Sequence, residues 1–311
     1  MADFLVLGGA HLDRPARLTD SSRLGASNPG HWREEPGGGA FNAARSLARL
    51  GHTVRLVSVR GGDRAGETVA RAIEAAGIVD MTQVFLDRAT PSYSAVLEPG
   101  GDLVIGVAEM DLYEHFTMRQ LARKHIRNAI GGADWILCDA NLPADTLTAL
   151  ANQADALRRR LAAIAISPAK VPRMKGILPA LSVLFLNEAE AAALCGPAEA
   201  RDWPAVLRRA GVPCAVVTRG ARPVIAFDPD ACFEIAPPAI DAIADVTGAG
   251  DALAAATLDR LVEGAPFDQA VRAGVAAAAI AVRSPSAAPV DLNRAALDST
   301  VALVPEPVFL S

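Results

Sequence analysis

Two hydrophobic rhythms alternate along this chain. Short unbroken apolar runs occupy residues 4–7, 135–138, 163–166, 183–186 and 215–217. Runs of that length without a polar alternate predict strands covered on both faces. Helical or loop-helix sequence separates the later runs, an order that predicts a mostly parallel sheet between helical layers. Another strand is predicted at 54–59. Phe41, Ala44, Leu47 and Ala48 fall at helical spacing and predict a helix over 40–50. A second helix is predicted over 65–76, closed by Gly77. Long Ala-rich segments predict helices over 249–262 and 267–282. Glu98-Pro99-Gly100-Gly101-Asp102 joins 92–97 to 103–107 as a hairpin, and 224–227 with 232–235 makes a later one.

Two stretches break the rhythm, about 14–36 and about 89–112. The first is irregular and polar, with Ser27-Asn28-Pro29-Gly30 as a turn. Both are hairpin-like and lie near a glycine run at 37–39. A length of 311 residues suits one large α/β domain or two smaller ones. The economical expectation is a single domain over 1–311, with a small β-rich lid built from the two excursions. A lid that excludes water suits transfer of a group that water would otherwise intercept.

Composition narrows the function classes. Half the residues are hydrophobic and 21% are charged, as in a globular chain. The net charge of −5 argues against a nucleic-acid partner. An anionic ligand would need backbone amides, a metal and a few placed cations. The cysteines Cys138, Cys195, Cys214 and Cys232 form no C-x-x-C pair, so neither zinc nor redox chemistry is indicated. No basic leader precedes an apolar run at the N-terminus, and the small-apolar run 273–282 is too short to span a bilayer. A cytoplasmic, thiol-reduced protein with no membrane partner is expected.

The chemistry concentrates in Asp245-Val246-Thr247-Gly248-Ala249-Gly250-Asp251, which opens the helix predicted from 249. Free amides at a helix start attract an anion, and glycines let the backbone approach it closely. A carboxylate at 251 would repel a bound phosphate. Its position makes sense if it accepts a proton from a hydroxyl that attacks phosphorus. A plain glycine turn with an acidic first-turn residue is the structural alternative. A second run, Gly37-Gly38-Gly39-Ala40-Phe41-Asn42, precedes the helix over 40–50. Taken alone it is as well explained by capping.

Together the two runs resemble the paired signatures of the ribokinase-like (PfkB) carbohydrate kinases, with Ala40 where that family often has Gly. Gly61-x-Asp63-x-x-Gly66 and Asn187-Glu188-Ala189-Glu190 fall at matching positions. Within the family, the chain is most similar to the pseudouridine kinases. The likeness rests on Ser27-Asn28-Pro29-Gly30, Thr90-Pro91-Ser92-Tyr93, Glu109-Met110-Asp111, Cys138-Asp139-Ala140-Asn141 and Ser167-Pro168-Ala169-Lys170.

The resemblance implies a three-layer α/β/α sandwich and transfer of the ATP γ-phosphoryl group to the 5′-hydroxyl of pseudouridine. Kinases of ribose, uridine, adenosine or fructose phosphate are the alternatives, and a non-catalytic sugar or nucleotide sensor is a third. Asp251 matches the general base, ionised at neutral pH if its pKa is the ordinary one of about 4. Gly248, Ala249 and Gly250 match the anion hole. Asp13, Gly38, Gly39 and Asn42 match the sugar site, and Asn141 and Tyr93 join it. Tyr93 and Met110 could equally be lid core or a dimer contact. His11 stands where those kinases carry Asn, as an amide replacement or a strand cap. Asn187 and Glu190 match the element that organises Mg²⁺ through water, and also read as a capping box. Thr218, Arg219 and Gly220 match a nucleotide turn, with Arg219 either on donor phosphates or in solvent. Ala277 would line the adenine slot. Asp245 matches a monovalent-cation site, so K⁺ joins ATP and Mg²⁺ among the expected ligands. The lid edge invites a homodimer.

Overall fold

The computed structural model describes residues 1–310. Its main sheet runs, in spatial order, Val308–Phe309, Cys232–Ile235, Arg222–Phe227, Ala215–Arg219, Val183–Asn187, Arg160–Ile164, Trp135–Asp139, Asp3–Leu7, Thr53–Val57 and Val79–Asp80. Pairing is parallel from Val79–Asp80 through Ala215–Arg219 and antiparallel beyond it. Strand alternation divides the interior into two cores. Phe4, Val6, Trp135, Leu137, Val183 and Phe185 face one helical layer. Leu5, Leu7, Ile136, Cys138, Leu184 and Leu186 face the other. Every one of these is under a tenth exposed. Apolar runs without a polar alternate are therefore what two-sided burial requires, and the α/β/α sandwich follows.

The strand Asp3–Leu7 lies inside the sheet, with Thr53–Val57 on one side and Trp135–Asp139 on the other. The chain builds outward from it in both directions. At such a reversal the loops after neighbouring strands diverge and leave a crevice at their carboxyl ends. Gly8 and Gly9 leave the first strand there, facing Asp139 at the end of its neighbour. A Cβ on Gly9 would fall 2.3 Å from Asn141 Nδ2, so the two loops touch backbone to side chain.

A five-stranded second sheet covers this crevice. Its order is Leu103–Glu109, Ser92–Leu97, His11–Leu18 and Gly30–Trp32, with Glu35–Gly37 also paired to His11–Leu18. The expected irregular stretch from 14 thus contains regular structure. The polar residues His11 to Arg17 alternate across a small sheet rather than a buried one, which hides them from a reading based on apolar runs. Asp13 accordingly sits within a strand of the small sheet, paired with Tyr93 and Glu35. Asp63 ties this sheet to the body. Burial works to raise its pKa, but donors from Thr90 and Gly66 outweigh that and hold the carboxyl below its ordinary range.

Two predicted strands have shifted limits. The run at 163–166 ends its strand at Ile164, because Ile166 has φ +59. The Ser167 amide donates to Ala165 O at 2.8 Å, making a γ-turn of the rare positive-φ kind about Ile166. The stretch 54–59 divides into Thr53–Val57 and Val59–Gly61, the latter paired with Gln83–Phe85.

The helix Ala249–Val262 packs along Phe267–Ala281, both rich in alanine, and is anchored at its far end by Asp259. That carboxylate is fully buried, with His52 Nε2 at 2.7 Å and Arg294 Nη2 at 2.7 Å. Removing the carboxylate leaves the buried His52 without its hydrogen-bond partner, while Arg294 keeps Glu263. Asp259→Ala is expected to cost about 1–3 kcal/mol, read as a lowered midpoint in urea unfolding.

Candidate active site

The cleft beneath the small sheet has a volume of ≈ 740 Å³. Of the residues singled out from sequence, His11, Asp13, Gly38, Gly39, Asn42, Tyr93, Asn141, Asn187, Glu190, Thr218, Gly248, Gly250 and Asp251 all line it. They come from both sheets and from three helix starts, so only the fold brings them together.

At the entry to Ala249–Val262, Gly248 adopts φ 78 and ψ −2. A Cβ there would meet Ala287 O at 1.8 Å, so only glycine fits both the backbone turn and the contact. Residues 246–248, Gly250 and Asp251 face the cleft at a helix N-terminus. The amides not engaged within the helix form an anion-binding edge. Ala249 departs from the expected hole. Its amide donates to Val246 O at 3.3 Å and its side chain packs against the core, so the residue does not line the cleft.

Asp251 has a raised pKa of about 7. Desolvation is the main cause, and the charges of Asp139 and Glu190 add to it. The Asn42 hydrogen bond and the Arg45 charge work against it. The expectation of an ordinary value near 4 is therefore corrected by burial, which sequence alone does not reveal. Asn42 Nδ2 donates to Asp251 Oδ2 at 2.9 Å, and Arg45 Nη2 donates to Asn42 Oδ1 at 2.6 Å. The Asn42 amide thus holds the carboxylate on the cleft wall, although it was assigned to the sugar.

Asp139 belongs to the run from Cys138 to Asn141. Fully buried, it accepts from Gly9 N at 2.9 Å, Ala40 N at 3.0 Å, Asn141 N at 2.9 Å and Asn141 Nδ2 at 3.1 Å. Asn141 Oδ1 accepts from Lys170 Nζ at 2.6 Å. Both ends of the Asn141 amide are therefore engaged by protein. Lys170 is the cationic side chain of the cleft lining, and burial lowers its pKa, with the Arg173 charge adding to the effect and Asp139 opposing it. The run Ser167-Pro168-Ala169-Lys170 carries part of the family likeness, and the fold adds that its lysine reaches the cleft beside Asn141.

His11 is buried with both ring nitrogens engaged, Nδ1 with Tyr113 Oη at 3.0 Å and Nε2 with Asp13 Oδ1 at 3.3 Å. It acts less as a free amide replacement than as a brace for Asp13. Tyr113, missed from sequence, is fully enclosed, and that burial raises its pKa well above the usual phenol value.

On the opposite wall, Asn187 Oδ1 accepts from Glu190 N at 2.9 Å while Glu190 Oε2 accepts from Asn187 N at 2.8 Å. The capping-box reading holds, and both residues still line the cleft. Burial raises the Glu190 pKa. The remaining nucleotide-side expectations lie elsewhere. Arg219 Nε donates to Pro223 O at 2.5 Å and Nη2 to Glu234 at 3.0 Å, which turns the guanidinium away from the cleft. Gly220 is an exposed turn tip with φ 64. Ala277 is buried in the core of its helix. Asp245 accepts from Thr247 N at 2.8 Å in a local turn outside the cleft. Each has a structural task that its residue type served equally well.

The profile of the pfkB family carbohydrate kinases matches residues 2–293. The pseudouridine kinase of Escherichia coli (strain K12) is 26% identical over 274 residues, spanning 86% of each chain. A carbohydrate kinase from Agrobacterium tumefaciens superposes with a TM-score of 0.90 at 51% identity, over 100% of both chains. Ribokinase from Arabidopsis thaliana, solved with ribose and ATP, has the same fold at a TM-score of 0.86 and 19% identity, covering 96% of this chain and 98% of its own. With the profile matching nearly end to end and the cleft formed by both glycine runs, the chain belongs to the pfkB family of carbohydrate kinases and is a phosphotransferase for a sugar or nucleoside.

Proposed function

We propose that the chain phosphorylates the 5′-hydroxyl of a ribosyl compound, with pseudouridine as the first acceptor to test. The observation that carries this reading is the meeting of Asp251, the Gly248 turn and Asp13 around one cleft. The likeness to the Escherichia coli pseudouridine kinase supports the acceptor. Ribose is the second reading. It is favoured by His11, whose ring nitrogens both have protein partners, Tyr113 and Asp13, so that His11 does not stand free as the amide that pseudouridine kinases carry there.

In this reading the small sheet is a lid that excludes water from the reacting atoms. Asp13, braced by His11, accepts from two neighbouring sugar hydroxyls. Tyr93 and Lys170 flank the base end, where an ammonium can donate to a carbonyl oxygen. Asp251 accepts the proton of the acceptor hydroxyl as that oxygen bonds to the γ-phosphorus and the bond from phosphorus to the bridging oxygen breaks, releasing ADP. The Gly248 and Gly250 amides face the charge that develops on the phosphoryl oxygens. Among the described residues no group of three or more His, Cys, Asp or Glu could hold a metal by itself. Glu190 still presents a buried carboxylate to the cleft beside Thr218, which fits a Mg²⁺ that keeps most of its waters and arrives with a triphosphate. ATP with Mg²⁺ supplies the phosphoryl group and screens its charge when bound; Glu190, Asn187 and Thr218 would hold it. Self-association through the lid is part of the same proposal. Leu103, Ile105 and Val107 project from an edge strand and are each more than half exposed. Among the described residues no helix is long and apolar enough to cross a membrane.

Three outcomes test the reading. ADP release with Mg-ATP is measured against pseudouridine, uridine, adenosine, ribose and fructose 6-phosphate; selective turnover of pseudouridine is expected, and selective turnover of ribose establishes the second reading instead. Asp251→Asn should lower kcat by about 10²–10⁴ with little change in the far-UV spectrum; undiminished turnover removes the base assignment. With Asp251 titrating near 7 in the free protein, kcat/KM should fall roughly tenfold per pH unit on the acid side of that value.

The same shift sets a stability signature. A carboxyl whose pKa is raised by folding holds a proton in the folded state that the unfolded chain has released. Its contribution therefore declines as pH rises from about 4 to about 7, then stays constant. Asp251→Asn should melt roughly 5–8 °C higher than the parent above pH 7 and at the same temperature near pH 4. Parallel melting curves across that range would contradict the shift.

A further inference from the structure

Arg45 lies one turn beyond Asn42 on the helix Gly39–Arg49, behind the cleft rather than in it. Its guanidinium stacks on Phe41 with Cζ 4.5 Å from the ring centroid. Burial lowers its pKa to about 10, Arg49 adds to the lowering, and Glu35, Asp251 and Asp13 oppose it. Its Nε is enclosed without a hydrogen-bond partner. Enclosing an arginine in this way is costly, so its remaining contacts must repay the position.

The chemistry of that contact removes an ambiguity. A terminal amide can be turned either way, since its oxygen and nitrogen have the same shape. An arginine has only donors. The Asn42 atom 2.6 Å from Arg45 Nη2 must therefore be oxygen. The Asn42 nitrogen is then obliged to face Asp251, where it donates to Oδ2 at 2.9 Å. Oδ2 is thereby occupied. The other oxygen, Oδ1, faces the start of the helix at Gly39, where a Cβ would lie 3.4 Å from it.

We infer that Arg45 is a positioning residue that acts through Asn42: it locks the amide so that Asp251 Oδ2 is held and Oδ1 is left to take the proton. Without Arg45 the amide is free to turn its oxygen toward the carboxylate, which would repel the ionised form and open both oxygens to rotation. This rests on the reading of Asp251 as the base. The other charged groups that face Asp251 are Asp139 from the neighbouring strand end and Glu190 from the opposite wall. Neither touches Asn42 by hydrogen bond, so the relay is separable from them.

The test uses the ligand-free full chain and reads the Asp251 titration from melting temperature against pH, each protein compared with its own Asp251→Asn counterpart. Arg45→Met keeps an unbranched side chain over Phe41 and removes the donors. It should move the inflection upward by about one pH unit. Arg45→Lys, which restores a donor, should bring it back toward the parent value. In an Asn42→Ala background, Arg45→Met should cause a clearly smaller shift, because only the direct effect of the Arg45 charge on Asp251 remains to be removed. An inflection that does not move in Arg45→Met, or that moves equally with and without Asn42, overturns the relay. In turnover with Mg-ATP and the best acceptor, Arg45→Met should lose about fivefold in kcat/KM at pH 7 and regain parity at pH 9. A loss uniform across pH assigns Arg45 a packing role and likewise overturns the relay. Absence of turnover in the parent refutes the base reading alone, since the melting titration still decides how Arg45, Asn42 and Asp251 are linked.

Discussion

A single buried carboxylate holds this cleft in shape. Asp139 ends the strand beside the first one, at the place where the sheet reverses its order of growth. Its oxygens gather donors from the loop after the first strand, from the start of the helix Gly39–Arg49 and from its own loop at Asn141. Each of those segments carries part of the site. Left unpaired, an ionised group at that depth would be untenable; hydrogen-bonded by so many N–H groups, it becomes the point to which the loops are referenced. A Cβ at Gly39 would lie 3.5 Å from Asp139 Oδ2 and 3.4 Å from Asp251 Oδ1, so the two carboxylates face the same short stretch of backbone.

That closeness has an electrostatic effect on Asp251. The negative charge of Asp139 adds to the desolvation that already disfavours ionisation, and Arg45 with Asn42 limits the effect. The fold thus sets Asp251 between opposing influences and leaves its pKa near neutrality, at about 7. Ile166 shows a similar balance in the backbone. A β-branched residue at positive φ is unfavourable in isolation. It lines the cleft, with Cγ2 2.7 Å from where a Gly39 Cβ would be. The surrounding sheet holds it in that state.

Most of the architecture was legible in the chain because two-sided burial leaves an unmistakable pattern. Runs such as Phe4 to Leu7 and Val183 to Leu186 have no polar interruption, and both lie in the main sheet. The small sheet was harder. His11-Leu12-Asp13-Arg14-Pro15 has little apolar character, since its strand faces the cleft and solvent, yet it is the central strand there. The two glycine runs marked the cleft, because a backbone turn such as that at Gly248 tolerates nothing else. Where a residue was assigned from likeness alone, local geometry sometimes took precedence. Arg219 forms a pair with Glu234 across a hairpin, and Asp245 closes its own turn. Tyr113 and Arg45 lie in segments of ordinary composition. Their relevance comes from what long-range folding brings beside them, which no spacing in one chain encodes.

The central location of the first strand also bears on how the protein is made. Asp3–Leu7 emerges early from the ribosome, but one of its two neighbours, Trp135–Asp139, is synthesised far later. Until then the first strand has one open edge and an uncovered apolar side. The nascent chain must wait through that interval with an aggregation-prone surface, or form a provisional partnership between Asp3–Leu7 and Thr53–Val57 that the later strand completes. The helix bearing Asp251 comes later still. Synthesis thus separates in time the assembly of the scaffold around Asp139 from the arrival of Asp251, the carboxylate that completes the cleft lining.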